Sequence, residues 1–425
     1  MAYPPISETV LNTSIKSNAH EPYYSYQSDI DLYDIHQFTN GQPFKTYDDL
    51  RSNSPIYFQN PPEWDVEPGA WMLTSYKDIM EVSSNPKIFS SQAATGNLMT
   101  LGNPETRHPK LWQTSIDHML NLDGSFHLDL RREHMPFFKP GYVDELHKKV
   151  EIKVETLLDA IAKVGKSNLV KDLSQQIPIF TLSEVLGIPE EDRHKLATWM
   201  EFLELAQYFA AENMKQTQGK AEEMEVDTSM IELFESMIGE MFDYGKHILQ
   251  EKRMNPQNDL LSAIANAELD GAKLSQEYLD GSWLLIIFAG NDTTRNSISG
   301  AIKLLSEFPE QKNKLLSNLD LLPNFAQETI RMVSPVIHMR RTTTCETTLG
   351  NQKLGKGEKV IMWYGAANRD PSIFSNPHEF DIERENAVKH LAFGMGRHTC
   401  IGKPVALMQL KEVYKQILTR FPDMH

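Results

Sequence analysis

The chain has little cysteine: two residues in 425, Cys345 and Cys400. Two cysteines cannot build a disulfide framework, which suits a reducing compartment and a core held by burial alone. Positive charge is also short. The 42 Lys and Arg face 58 Asp and Glu, a formal charge of −16, which argues against nucleic acid and anionic membrane surfaces as partners. Long hydrophobic runs are missing. The longest purely apolar one, Trp283 to Ala289, is far short of the roughly 20 residues needed to span a bilayer. The N-terminus, Met-Ala-Tyr-Pro-Pro-Ile-Ser-Glu, has neither the charged start nor the apolar stretch of a secretory signal. A cytoplasmic protein is therefore expected. No Gly/Ser- or Pro-rich linker and no internal repeat divides the chain. Residues 1–30 read as a polar tail and 31–425 as one large domain, expected to be a monomer. With 40% apolar and 24% charged residues the composition is that of a globular protein with a core.

What the chain does contain is mostly helical periodicity with a small β region near the start. Phe44 to Arg51 reads as a short helix. Ile56 to Gln59 and Ala70 to Thr74 read as strands across a Pro-rich turn, Ser75 to Ser83 as a helix, and Ile88 to Ser90 as a closing strand. From Ser91 to Asp123 no period holds, and a loop that long in a compact domain is usually functional or disordered. Val143 to Val164 carries Leu146, Val150, Val154 and Leu158 at helical spacing. Helical patterns continue to Phe242, interrupted by an acidic run at 222–227 that reads as a solvated loop. Leu274 to Glu307 is the longest apolar helical pattern, broken in its middle by Ala289-Gly290-Asn291-Asp292-Thr293-Thr294. Gly, Asp and two Thr lower helix propensity together, and local rules broken together often mark function.

One stretch organises the rest: His390-Leu-Ala-Phe-Gly-Met-Gly-Arg-His-Thr-Cys-Ile-Gly402. Its glycines allow tight turns and close approach to a flat partner. The helix expected after Pro404 aims its unpaired N–H groups at Cys400, which favours a thiolate over a thiol. A thiolate so held is a metal ligand or a nucleophile; the bland alternative is a buried, inert cysteine.

The order Phe393, Gly396, His398, Cys400, Gly402 resembles the cysteine-ligand loop of the haem-thiolate monooxygenases, the cytochromes P-450. The resemblance implies a mainly α fold with a small β region, a single large domain, and haem b as cofactor. In that family the cysteine is the axial ligand of haem iron and favours O–O cleavage, so Cys400 is the expected ligand. Phe393, Gly394 and His398 would line the cofactor. His127 and Arg131, four apart on one helix face, resemble the family's H-x-x-x-R pair that reaches a propionate, and Arg341 matches a further propionate partner. Ala289-Gly290-Asn291-Asp292-Thr293 resembles the central-helix motif A-G-x-D-T. There Ala289 and Gly290 would leave room for O2 and substrate, Thr293 would offer its hydroxyl to the reacting oxygen, and Asp292 would relay protons inward. Leu98, Met99, Val336 and Ile337 match positions that line the substrate pocket. Glu328 and Arg331, with Arg384 from a P-x-x-F-x-x-x-R-like segment, would form a buried charged triad that is structural.

The activity implied is insertion of one atom of O2 into a hydrophobic small molecule, a terpenoid, a sterol side chain or an alkyl compound. Electrons would come from a ferredoxin and its ferredoxin reductase, docking near Arg131, Arg132, Arg397, Lys403, Lys411 and Lys415. Alternatives in other classes are a haem-thiolate peroxygenase, isomerase or dehydratase, and a non-catalytic haem or hydrophobic-ligand binding protein. The chain stops soon after the helix following Cys400, where the family continues into a terminal hairpin. Either the natural protein is longer than this chain or that hairpin is absent.

Overall fold

The computed structural model describes residues 31–60, 69–92, 109–114, 116–203, 228–269 and 271–424. The expected tail 1–30, the pocket candidates Leu98 and Met99, and the acidic run at 222–227 lie outside the described residues. Six helices frame the site: α1 (Gly124–His134), α2 (Pro140–Val164), α3 (Gln176–Leu186), α4 (Gln276–Glu307), α5 (Leu322–Val333) and α6 (Lys403–Arg420). In α2 the local sequence sets both ends. Pro140 occupies the first turn, where a missing N–H costs nothing, and Gly165 closes the helix at φ 75°. Between them Leu146, Val150, Val154 and Leu158 form one buried stripe against α3 and α6. No helix among the described residues is long and apolar enough to cross a membrane.

Five strands make one sheet: β1 (Ile56–Gln59), β2 (Ala70–Leu73), β3 (Phe89–Ser90), β4 (His338–Thr343) and β5 (Lys359–Trp363), in the order β1-β2-β5-β4-β3. β2 and β5 pair in parallel, Ala70 opposite Lys359, while the other pairs are antiparallel. Every residue of β2 and β5 is buried, which fits the unbroken apolar runs at 70–73 and 360–363, without alternation.

The central helix α4 is continuous for 32 residues, about 48 Å, so the residues 289–294 that interrupt its apolar pattern do not break the helix. Packing supplies the reason. A Cβ on Gly290 would stand 2.8 Å from Leu182 of α3, and one on Gly300 2.5 Å from Val333 of α5. Each glycine costs a helix about 1 kcal/mol relative to alanine, and here it is what lets two helices approach. The stretch from Ser91 to Asp123 also holds more order than expected, with a helix at Pro109–Thr114 and a tight turn at Met119–Asn121. Its ends are tied together by Asp123, whose carboxylate accepts from Ser90 Oγ at 2.5 Å and from the N–H groups of Ser91 and Gln92 at 2.8 and 3.2 Å.

Beneath the cysteine loop lies the charged triad. Arg331 grips Glu328 with Nε and Nη2, both at 2.7 Å, and Arg384 Nε reaches the same carboxylate at 3.0 Å. All three residues are buried. The guanidinium groups also donate to the carbonyls of Asn368, Pro377, Glu379, Ser375 and Asn376, so a fold of backbone from 368 to 384 is stitched to α5. Glu328→Gln removes the one negative charge facing two buried cations. It is expected to cost about 3–5 kcal/mol, read as a lowered denaturant midpoint; an unchanged midpoint would contradict the role given to the triad.

Candidate active site

A cavity with about 260 Å³ open to the centre of a water molecule is walled by α4 on one side and by residues 392–402 with the start of α6 on the other. One water needs roughly 10–15 Å³ on that measure, so the space suits a large organic group. Most of the wall is apolar, including Leu120, Leu182, Leu285, Ile286, Val336 and Met339.

Two glycines shape the loop that carries Cys400. Gly394 and Gly396 have φ of 67° and 72°, and a Cβ on Gly396 would lie 2.7 Å from the carbonyl oxygen of Ser83, so larger residues are excluded there. The Cys400 N–H then donates to the carbonyl of Phe393 at 2.8 Å. Cys400 lies deep within the protein yet its side chain is accessible, because it faces the cavity. Burial pushes its thiol above the ordinary value. The N–H groups of Gly402 and Lys403 and the charges of Arg131 and Lys403 pull the other way without winning. The expected preference for a thiolate is therefore not met by protein groups alone, because desolvation of the anion outweighs the helix end. A metal ion facing the sulfur reverses that balance, since a coordinating thiol is deprotonated outright.

Around the same cavity stand His127, Arg131, Arg341 and His398. The rings of His127 and His398 stack, 4.2 Å apart and 11° from parallel. His398 Nε2 meets Asp123 Oδ1 at 3.2 Å, while burial, ahead of the neighbouring cations, lowers the pKa of His127 to about 4. His127 Nδ1 is buried and has no partner among the described residues. Arg131 donates to the carbonyl of Thr399 at 2.6 Å and Arg341 to that of Arg340 at 2.6 Å. Asp123, which orients His398 and ties residues 90–92 to the start of α1, was not legible as a site residue. It reads as the residue before a helix, but its side chain caps nothing in α1.

Not every expected residue faces the cavity. Ala289, Gly290 and Thr293 line it, as do Phe393, Gly394 and Val336. Gly290 serves contact with Leu182 more than open space. The Thr293 hydroxyl donates weakly to the Ala289 carbonyl at 3.3 Å. Asp292 is turned off the wall and held by Arg295 at 2.6 Å and by Asn296 at 3.1 Å; one step along a helix swings a side chain about 100°. Ile337, expected in the pocket, packs against Leu32, Tyr47 and Trp363. The chain bends at Pro335 and Val336 before β4 begins, so neighbouring side chains part to opposite sides.

A family model described as Cytochrome P450 matches residues 92–422. The chain is 32% identical over 391 residues to linalool 8-monooxygenase of Pseudomonas putida, covering 92% of this chain and 91% of that one. To steroid C26-monooxygenase of Mycolicibacterium smegmatis it is 28% identical over 398 residues, covering 93% and 90%. A solved structure, a Mycobacterium marinum cytochrome P450 in complex with pseudoionone, matches with a TM-score of 0.81 at 28% identity, covering 95% of this chain and 94% of that one.

At the start of the loop, His390 Nδ1 accepts from the Ala392 N–H at 3.2 Å and Nε2 meets Gln327 Oε1 at 3.1 Å. Burial, reinforced by Lys403 and Arg331, lowers its pKa to about 3. The neutral ring is thus built into the fold, and its contribution is present above the ordinary histidine value and lost as pH falls toward the depressed one. Between pH 7 and pH 5 that loss is about 2 kcal/mol. His390→Gln, measured by denaturant unfolding at both pH values, is expected to flatten the decline by about that amount; a decline unaltered by the substitution would contradict the assignment.

Proposed function

Because the chain belongs to the cytochrome P450 family, we propose that this monooxygenase inserts one atom of O2 into a C–H or C=C bond of an elongated hydrophobic molecule, with a ferredoxin as electron donor. The other oxygen atom leaves as water, consuming two electrons and two protons. The observation that carries the reading is one cavity lined both by the Cys400 sulfur and, on its other side, by Ala289 and Thr293 of the central helix.

Haem b is the family's cofactor, and the residues present fit it. It brings a flat apolar ring, two carboxylates and a metal ion, and when bound it supplies the iron at which O2 is activated. The cavity offers apolar walls, a thiol, and the cationic or donor groups Arg131, Arg341, His127 and His398. Among the described residues no carboxylate forms an ion pair with Arg131 or Arg341, and His127 Nδ1 has no partner, as groups awaiting carboxylates should be. Asp123 fixes the orientation of His398. Across the cavity, Ala289 keeps the wall low, and Thr293 holds a hydroxyl that can move a proton to an oxygen in front of it. Asp292 can pass a proton inward only if its pair with Arg295 opens.

Linalool, a steroid and pseudoionone appear in the names of relatives, and the mostly apolar wall supports the same broad class here: a terpenoid, a sterol side chain or an alkyl compound. The docking surface is narrower than the sequence implied. Arg131 turns inward, Arg132 pairs with Asp129 at 2.9 Å, and Lys415 with Glu151 and Glu412 at 3.5 Å. Arg397, Lys403 and Lys411 are left as the basic patch for an acidic redox partner.

An assay with ferredoxin, ferredoxin reductase and NADPH tests both parts. Thr293→Ala is expected to keep NADPH consumption within a few-fold of wild type while diverting most of the electrons to peroxide; full coupling in that variant would contradict the proton role. Reversing Arg397 and Lys403 to Glu is expected to slow reduction by ferredoxin at least tenfold and to reduce its salt dependence. Unaltered reduction of that variant would contradict the docking patch, and failure of every ferredoxin tried to reduce the wild type would contradict the donor proposed.

A further inference from the structure

We propose that Ser282 anchors the end of the substrate remote from the oxidised carbon, and that the substrate therefore carries a hydroxyl or carbonyl at that end. The inference rests on the monooxygenase reading above and deepens it. Ser282 lines the same cavity as Ala289, Thr293 and Cys400 and is 3% exposed. Serines and threonines in helices commonly satisfy their hydroxyl on the carbonyl one turn back. In this cavity Thr181 does so on Ile177 at 2.7 Å, Ser297 on Thr293 at 2.8 Å and Thr293 on Ala289 at 3.3 Å. Ser282 makes no such bond, and no described residue bonds to its hydroxyl.

Its position is fixed from both sides. A Cβ on the preceding Gly281 would lie 1.8 Å from the carbonyl oxygen of Asp117, so the helix is pressed against that segment. The next residue, Trp283, donates Nε1–H to the carbonyl of Met241 at 3.0 Å. A hydroxyl held this way is preorganised for a ligand. From Ser282 to Ala289 is seven residues, two helical turns, so the two share a face about 10 Å apart. Leu285 and Ile286 fill the wall between them. The face thus reads as a polar contact, an apolar stretch and the reacting end. Thr294 and Gln409 also line the cavity without a bonded hydroxyl or amide. They stand beside Thr293 and on the cysteine-loop helix α6, at the reacting end, and cannot hold a remote group.

The probes are 1-decanol and decane, which differ by one terminal hydroxyl on a chain of about the required length. Binding is followed by calorimetry and by the ligand-induced shift of the haem absorbance, in wild type, Ser282→Ala and Ser282→Thr. The alanine variant is expected to weaken 1-decanol 5- to 10-fold, to weaken decane less than twofold, and to spread the positions oxidised along the decanol chain. Threonine, which keeps the hydroxyl, is expected to restore most of the discrimination. Equal changes for the two probes, or none for either, would overturn the anchor, and if the alanine variant fails to hold haem, Ser282→Val, which has the shape of threonine without its hydroxyl, decides by the same ratio. A wild-type protein that takes up no haem would instead overturn the monooxygenase reading itself.

Discussion

An anion on sulfur survives in an apolar wall only beside a cation, and the surroundings of Cys400 are arranged around that constraint. The helix end at Lys403 and the nearby guanidinium of Arg131 oppose the cost of desolvation and do not overcome it. Left to the protein alone the site favours a thiol. A metal in front of the sulfur would change the sign, so on the ligation proposed above cofactor binding and thiolate formation would be one event. The same cavity collects Arg131, Arg341 and His127, which form no ion pair with a carboxylate among the described residues. Those groups are costly to bury and make sense opposite a ligand that brings negative charge at its edge.

Holding the sulfur in place falls to parts of the chain that never touch the cavity. Glu328, Arg331 and Arg384 fasten residues 368–384 to α5, and His390 enters the cysteine loop as a neutral ring wedged between Ala392 and Gln327. On the opposite wall, α4 is held close by two glycines that accept Leu182 and Val333. The result is a fixed separation between a sulfur and a hydroxyl-bearing helix, with a shaped space between them. On the proposed reading, that rigidity would position a reacting carbon.

Much of this was legible from residue order alone. The cysteine loop, the Glu328–Arg331 pair with Arg384 downstream, the helix at Pro140–Val164 and the strand Ile56–Gln59 follow from spacing and turn residues. What stayed hidden depends on partners far along the chain. The parallel pairing of β2 with β5 joins residues about 290 positions apart. Gly290 looked like a helix defect because Leu182, which requires it, lies in another helix. Asp292 and Ile337 do not line the cavity, because a one-residue step reverses or rotates a side chain. Asp123 was overlooked because its donors, Ser90, Ser91 and Gln92, and its histidine, His398, lie far from it in sequence.

The claim on which the rest depends is ligation of haem iron by the Cys400 sulfur. The most direct measurement is the carbon monoxide difference spectrum of the dithionite-reduced protein, taken beside that of Cys400→His. The account predicts a Soret band shifted far to the red in the wild type and its loss in the variant. A protein without haem, or a wild-type band at the position given by histidine ligation, would contradict it.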